Sequence, residues 1–170
     1  MLICDGERVR GFIAVADTPR QDAREVIKAL DKLNKHTIML TGDNPIVAGV
    51  VAKTLGVQDV SAGLLPGDKQ KIVVDLKEHY GTVAMVGDGI NDAPALASAD
   101  LGIAIGGSGS AQAMETADVV LMAEGIHKLP FAVKLSGFTN RLVRQNIAFS
   151  LISKLAVAVI AFLGYAPLWL

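Results

Sequence analysis

Residues 85–100 read MVGDGINDAPALASAD. Asp88 and Asp92 sit on a glycine-rich turn that directly follows the apolar run Val83–Val86. A short apolar run emptying into an acidic loop is the pattern of a parallel sheet. Such strands are buried on both faces, and the ligand site lies beyond their carboxyl ends. Carboxylates gathered on a loop of this kind point to a hard cation, because Mg²⁺ takes oxygen ligands and is commonly shared with substrate phosphate. Asp88 and Asp92 are therefore the candidate Mg²⁺ ligands. Gly87 and Gly89 let the backbone approach a ligand closely, and Asn91 can donate an amide hydrogen to a phosphate oxygen.

The same pattern extends outward in both directions. Upstream, TIML (37–40) runs into TGDN (41–44), and Pro45 opens a helix through Leu55, with Gly56 as its C-cap. VQDVSAG (57–63) is a short strand candidate. PGDKQKIVVDLKEHYG (66–81) predicts a helix with a proline start, an Ile72/Val73/Leu76 face and a Gly81 stop. Downstream, LGIAI (101–105) and DVVLM (118–122) are two further short apolar runs. At the start, LIC and RGFIAVA read as a hairpin across Asp5-Gly6. Asp17-Thr18 can then cap a helix with Pro19 in its first turn and one buried face of Ala23, Val26, Ile27, Leu30 and Leu33. Short apolar strands alternating with helices imply an α/β fold with a doubly wound parallel sheet. The TGDN and GDGIND loops both leave the carboxyl ends of strands, and so fall on one rim.

Composition divides the chain. The net charge of −1 offers no electrostatic argument for nucleic acid, and one cysteine, Cys4, excludes an internal disulfide framework and fits a reducing compartment. The opening MLICDGERVR lacks the basic region and long apolar run of a signal peptide. The sequence is 51% hydrophobic, which is high for a soluble domain, and the excess lies in residues 147–170. From about His127 the chain reads as one long helix, basic at first (Lys128, Lys134, Arg141, Arg144) and then apolar. Ile147–Leu163, about 17 residues, reaches the lower limit for crossing a bilayer. The basic flank would place the soluble portion on the cytoplasmic side. A buried core helix is the competing reading. The expected organisation is an α/β domain over 1–126, a basic helical connector over 127–146, and a transmembrane segment with the start of the next over 147–170.

Within the rim, Thr41 can donate a hydroxyl hydrogen bond and Gly42 an amide to a phosphoryl oxygen. The plainer reading of TGDN is a strand-to-helix turn with Asp43 or Asn44 as N-cap. Lys69 would neutralise charge on a transferring group if it lies beside the phosphate, and is otherwise ordinary surface. Together these parts describe phosphoryl transfer, whose catalysis is mostly positioning and charge stabilisation. No D-K-T-G-T and no apolar run ending in D-x-D-x-[TV] occurs, so no nucleophile is evident. Asp5 is set aside because CDGER reads as a hairpin turn.

TGDN, PGDKQKIV and MVGDGINDAPALASADLGIAIG strongly resemble the phosphorylation domain of P-type cation-transporting ATPases, members of the haloacid-dehalogenase-like superfamily. DTPR (17–20) resembles the family's D-x-x-R element. SAQAMETADVVLM (110–122) resembles its G-T-D-V-A-x-E-x-A-D segment, departing from it at Ser110 and Gln112. RQNIAFSLISKLAVAVIAFLGYAPLWL (144–170) resembles the membrane region of type IB heavy-metal pumps of the zinc/cadmium/lead group. The resemblance runs through essentially the whole chain.

The resemblance implies that Asp88 coordinates Mg²⁺ and that Asp92 braces the site through Lys69. It implies that Thr41, Gly42 and Asn91 contact the phosphoryl group and that Asp43 lies beside the nucleotide or the phosphate rim. It also implies ATP as phosphoryl donor and an aspartyl phosphate whose hydrolysis drives cation export. The partners implied are a divalent heavy-metal cation, membrane lipid and the remainder of a pump, namely its actuator and nucleotide-binding domains and other membrane helices. On this reading the chain is a C-terminal piece of such a pump, inactive alone. Lys154, near the middle of the apolar run, would be a fixed charge beside the transported ion, since a charge there costs about 2.5 kcal/mol or more. The alternative is snorkelling to an interface. A free-standing phosphatase of the same superfamily and a non-catalytic membrane-anchored regulatory module are the other functional readings.

Overall fold

The computed structural model describes residues 2–5, 8–12, 18–88, 91–106, 115–122 and 125–164. The chain forms two units, Met1–Ile126 and His127–Leu170. The first opens with an antiparallel hairpin of β1 (Leu2–Asp5) and β2 (Arg8–Phe12), pairing Leu2 with Phe12 and Asp5 with Arg8. The continuation of the second strand expected through Ala16, and Asp17 of the expected cap, lie outside the described residues.

Helix α1 (Ala23–Asp31) begins later than its sequence signals suggest. Asp22 occupies its N-cap position, and Thr18–Arg20 have no regular structure. Thr18-Pro19 is an acceptable helix opening by local sterics, as Asn44-Pro45 is for the helix over Pro45–Leu55, yet the chain does not use it. The helix forms only where apolar side chains find cover, at Val26 and Leu30. Ile27 and Leu33 are half-buried.

From there the order is β3 (Ile38–Leu40), α2 (Pro45–Leu55), β4 (Asp59–Ser61), α3 (Pro66–Tyr80), β5 (Ala84–Gly87), α4 (Ala93–Ser98), β6 (Leu101–Gly106) and β7 (Val119–Met122). Helix α2 has proline in its first turn and ends on Gly56 at φ 79°, a left-handed conformation that glycine adopts without a Cβ clash. Strands β3 and β4 pair in parallel, as do β5, β6 and β7. Among the described residues these are two separate hydrogen-bonded ladders, not one continuous sheet. They share a core all the same. Val73 of α3, Met85 of β5 and Ala95 and Leu96 of α4 form a buried cluster against which Leu40 of β3 packs. On the expected α3 face, Val73 is fully buried whereas Ile72 and Leu76 are only half-buried.

At the opposite end of the strands the register is pinned by polar contacts. The Thr37 amide donates to Gln58 at 2.6 Å, and His36 Nε2 lies 2.7 Å from Asp59. Between α3 and α4, Lys77 donates to the Ser98 carbonyl at 3.0 Å and pairs with Asp100 at 3.2 Å. Asp100 also accepts from the Val83 amide at 2.9 Å. That backbone hydrogen bond, with Lys77 adding to it, holds the Asp100 carboxyl below the ordinary aspartate range.

The second unit carries α5 (Leu129–Phe162), a helix of 34 residues that follows a 3₁₀ turn over Gly125–Lys128. At 1.5 Å per residue it is about 51 Å long. By length and composition it can cross a membrane. The competing reading, a helix buried in the core of this chain, does not match the structure, which buries only Leu129 and Pro130 of it.

Candidate active-site rim

The rim is assembled from the carboxyl ends of β3 and β5 and the amino ends of α3 and α4. Beyond β3 the ladder continues one residue, the Thr41 amide donating to the Ser61 carbonyl at 3.0 Å. The chain then folds on itself. Thr41 Oγ1 donates to Asp43 Oδ2 at 2.8 Å and accepts from the Asp43 amide at 3.1 Å. Asn44, not Asp43, caps α2, accepting from the Ile46 amide at 2.8 Å. Asp43 is thereby left exposed beside Gly42.

This loop is tied to the segment after β4. The Gly63 amide donates to the Asp43 carbonyl at 2.8 Å, and the Leu64 amide donates to the Thr41 carbonyl at 3.1 Å. A Cβ at Gly42 would lie 3.2 Å from the Leu64 carbonyl, so the two segments meet closely. Residue 65 leads straight into α3, where Asp68 Oδ2 accepts from the Leu65 amide at 3.1 Å. Neither the cross-loop ties nor the Asp68 cap was read from the sequence. Asp68 at the third position of a proline-started helix was the available signal.

Lys69 stands on the first turn of α3 and reaches across to α4. Its Nζ donates to Asp92 Oδ1 at 2.7 Å, with 16% and 15% of the two side chains exposed. Asp92 occupies the N-cap position of α4, and its carbonyl accepts from the Leu96 amide at 2.8 Å. Its carboxylate does not cap that helix. An aspartate there ordinarily bonds the free amides of the first turn. In this molecule the carboxylate instead faces the lysine of a neighbouring helix.

Gly87 explains part of that geometry. A Cβ on it would lie 2.8 Å from Asp92 Oδ2 and 2.9 Å from Asp92 Cβ. The Asp92 side chain itself packs closely against this glycine. Gly89, the other glycine of the turn, lies outside the described residues. Asp88 follows β5 directly and is exposed, as is Asn91. Among the described residues no group of three or more His, Cys, Asp or Glu side chains is arranged to hold a metal. Mg²⁺ does not require one, since it keeps several waters and is commonly held by one or two carboxylates plus substrate phosphate.

The structure therefore joins Lys69 to Asp92 and ties Thr41, Gly42 and Asp43 to the segment that positions Lys69. Asp88 and Asn91 are exposed between β5 and α4. Lys154 belongs to α5, in the other unit, and is exposed there.

Comparison with known proteins follows the same outline. A family model for haloacid dehalogenase-like hydrolases matches residues 2–100. A probable cadmium-transporting ATPase of Listeria monocytogenes is 47% identical over 171 residues, covering 100% of this chain and 24% of that protein. A copper-exporting P-type ATPase of Staphylococcus haemolyticus is 44% identical over 170 residues, covering 100% of this chain and 21% of its own length. The crystal structure of a zinc-transporting PIB-type ATPase in its E2.Pi state superposes with a TM-score of 0.88 at 43% identity, over 99% of this chain and 27% of that one. The chain thus spans about a quarter of the length of the curated relatives it matches. A family model covering more than half of the chain, together with this whole-length similarity to heavy-metal-transporting P-type ATPases, places the chain in the haloacid dehalogenase-like hydrolase family.

Proposed function

We propose that residues 1–126 supply the Mg²⁺- and phosphate-binding rim of an ATP-driven heavy-metal cation exporter of the zinc/cadmium/lead kind. In this reading 127–146 is a basic connector, and Ile147–Leu163 crosses the cell membrane with the soluble portion on the cytoplasmic side. The observation that carries the reading is the mostly buried Lys69–Asp92 pair at the carboxyl ends of parallel strands, tied through residues 63–65 to the Thr41–Asp43 loop.

The chemistry is the transfer of a phosphoryl group from ATP to an aspartate carboxylate, followed by attack of water on the aspartyl phosphate. The aspartate would arrive on another segment of polypeptide. Strands β3 and β5 each have one partner strand among the described residues, on separate ladders, and so each offers an edge to an incoming strand. Mg²⁺ would supply charge neutralisation at the phosphoryl group, and the exposed carboxylate of Asp88 suits a hard cation. Asp92 is the brace: engaged by Lys69, it fixes where α3 and α4 present their amino ends. Asn91 and the Gly42 amide would bond phosphoryl oxygens. The Thr41 hydroxyl could donate to one only by releasing Asp43 Oδ2, which makes Asp43 the residue that holds the hydroxyl until phosphate arrives. Lys154 would stand beside the transported ion. The ion is not chosen by overall identity, because copper and cadmium transporters match this chain almost equally well.

A free-standing phosphatase would need an aspartate nucleophile, and no apolar run in this sequence ends in D-x-D-x-[TV]; Asp5, at the end of β1, pairs with Arg8 in the hairpin. The test has two arms. Incubated with radiolabelled ATP and Mg²⁺, the chain alone should form no acid-stable phosphoenzyme; clear labelling would refute the assignment of the nucleophile to another segment. Titration with Mg²⁺ should move the backbone amide resonances around Asp88, and Asp88→Asn should abolish the movement. Unchanged Mg²⁺ binding in that variant would remove Asp88 from the site.

A further inference from the structure

The long helix carries a feature that the phosphoryl-transfer reading does not use. No aspartate or glutamate occurs after Glu124, so Lys134, Arg141, Arg144 and Lys154 have no acidic residue on their own helix to pair with. Arg141 and Arg144 form no ion pair among the described residues of the chain. They line an open, shallow groove together with Gly137, Asn140, Gln145 and Ala148.

We propose that this groove binds the phosphate group of an anionic phospholipid at the membrane surface. The proposal rests on the reading of Ile147–Leu163 as a membrane span. At 1.5 Å per residue, Arg144 lies about 4.5 Å and Arg141 about 9 Å along the axis from Ile147. The headgroup layer on each side of the hydrocarbon is roughly 5–8 Å thick. Both guanidinium groups therefore fall at headgroup depth, within reach of their flexible stems. Lys134 lies about 20 Å from Ile147, twice the screening length of about 8–10 Å at physiological salt. Distance thus selects the two arginines and leaves Lys134 out. Guanidinium groups present paired donors that match phosphate oxygens, and the Asn140 and Gln145 amides add neutral donors beside them.

The experiment uses the full 170-residue chain in nanodiscs of neutral phosphatidylcholine doped with a minor fraction of phosphatidylglycerol. Lipid retained with the chain is identified by native mass spectrometry. Flotation with pure phosphatidylcholine vesicles reports insertion separately. The expected result is selective retention of phosphatidylglycerol, weakened by salt. Retention should fall about fivefold for each arginine replaced in Arg141→Gln and Arg144→Gln, and stay at the parent level in Lys134→Gln. All variants should float equally. A chain that floats but retains both lipids alike, or an arginine pair variant that keeps its selectivity, overturns the proposal and leaves the membrane reading intact. A chain that does not float overturns both.

Discussion

Replacing Lys69 by methionine removes the positive partner of Asp92 while keeping most of the stem. The pair is 2.7 Å apart, and roughly five-sixths of each side chain is out of water. Charges about 4 Å apart attract with about 4 kcal/mol at an effective dielectric near 20. Desolvation cancels much of that, so the intact pair contributes little net stability, whereas stripping one partner from a fully buried pair costs about 3–5 kcal/mol. Allowing for the residual exposure, Lys69→Met and Asp92→Asn should each cost about 2–3 kcal/mol. The double variant should cost much less than their sum, with a coupling energy of about 1.5–3 kcal/mol. Pulse proteolysis in urea of the whole chain in detergent micelles can read this. A slope of about 2 kcal/mol per molar urea converts each single variant into a midpoint shift of about 1 M. Additive losses, with coupling below about 0.5 kcal/mol, would mean that water already screens the pair. The account of Asp92 as a brace would then fail.

Three further outcomes follow from the same geometry. Gly87→Ala places a methyl within 2.9 Å of Asp92 and should cost about 1–3 kcal/mol in the urea assay; that loss should shrink in an Asp92→Gly background, which removes the contacting atoms, and full additivity would disprove the contact. Leu96→Ala opens a cavity in the Val73, Met85 and Ala95 cluster, where Leu96 is 1% exposed, and should cost about 2–5 kcal/mol; a smaller loss would show that α4 collapses into the space. Asp100 is held ionised by the Val83 amide and Lys77, so its contribution is present above the ordinary aspartate value, about 3.9. It disappears as pH falls through the lowered folded value. Asp100→Asn should therefore be less stable than the parent at neutral pH and equal to it in acid, and a gap that persisted in acid would contradict this origin.

Much of this molecule was legible in the sequence because its signals are local. Pro45 and Pro66 each occupy the first turn of a helix, and Gly56 takes the left-handed conformation that ends α2, all through backbone sterics that need no neighbour. The short apolar runs became parallel strands because a run apolar on both faces must be covered on both. The acidic loops then had to follow those strands, since the carboxyl ends are where such connections emerge. The long unpaired apolar helix at the end was equally plain from composition.

Tertiary structure decided where those signals conflicted or were silent. Asp17-Thr18 is the better capping dipeptide, yet α1 begins after Asp22, because burial of Val26 and Leu30 chooses where that helix forms. Asp92 reads locally as a helix cap, yet its carboxylate goes to Lys69: Pro94 leaves the second position of α4 without an amide hydrogen, and the mostly buried ammonium group offers a charged partner. The close packing of Asp92 against Gly87, which leaves no room for a Cβ there, could not be read from either residue alone. Sequence can name the residues of a rim because their chemistry is their own. Which carboxylate meets the lysine of a neighbouring helix depends on distances between elements that no single segment contains.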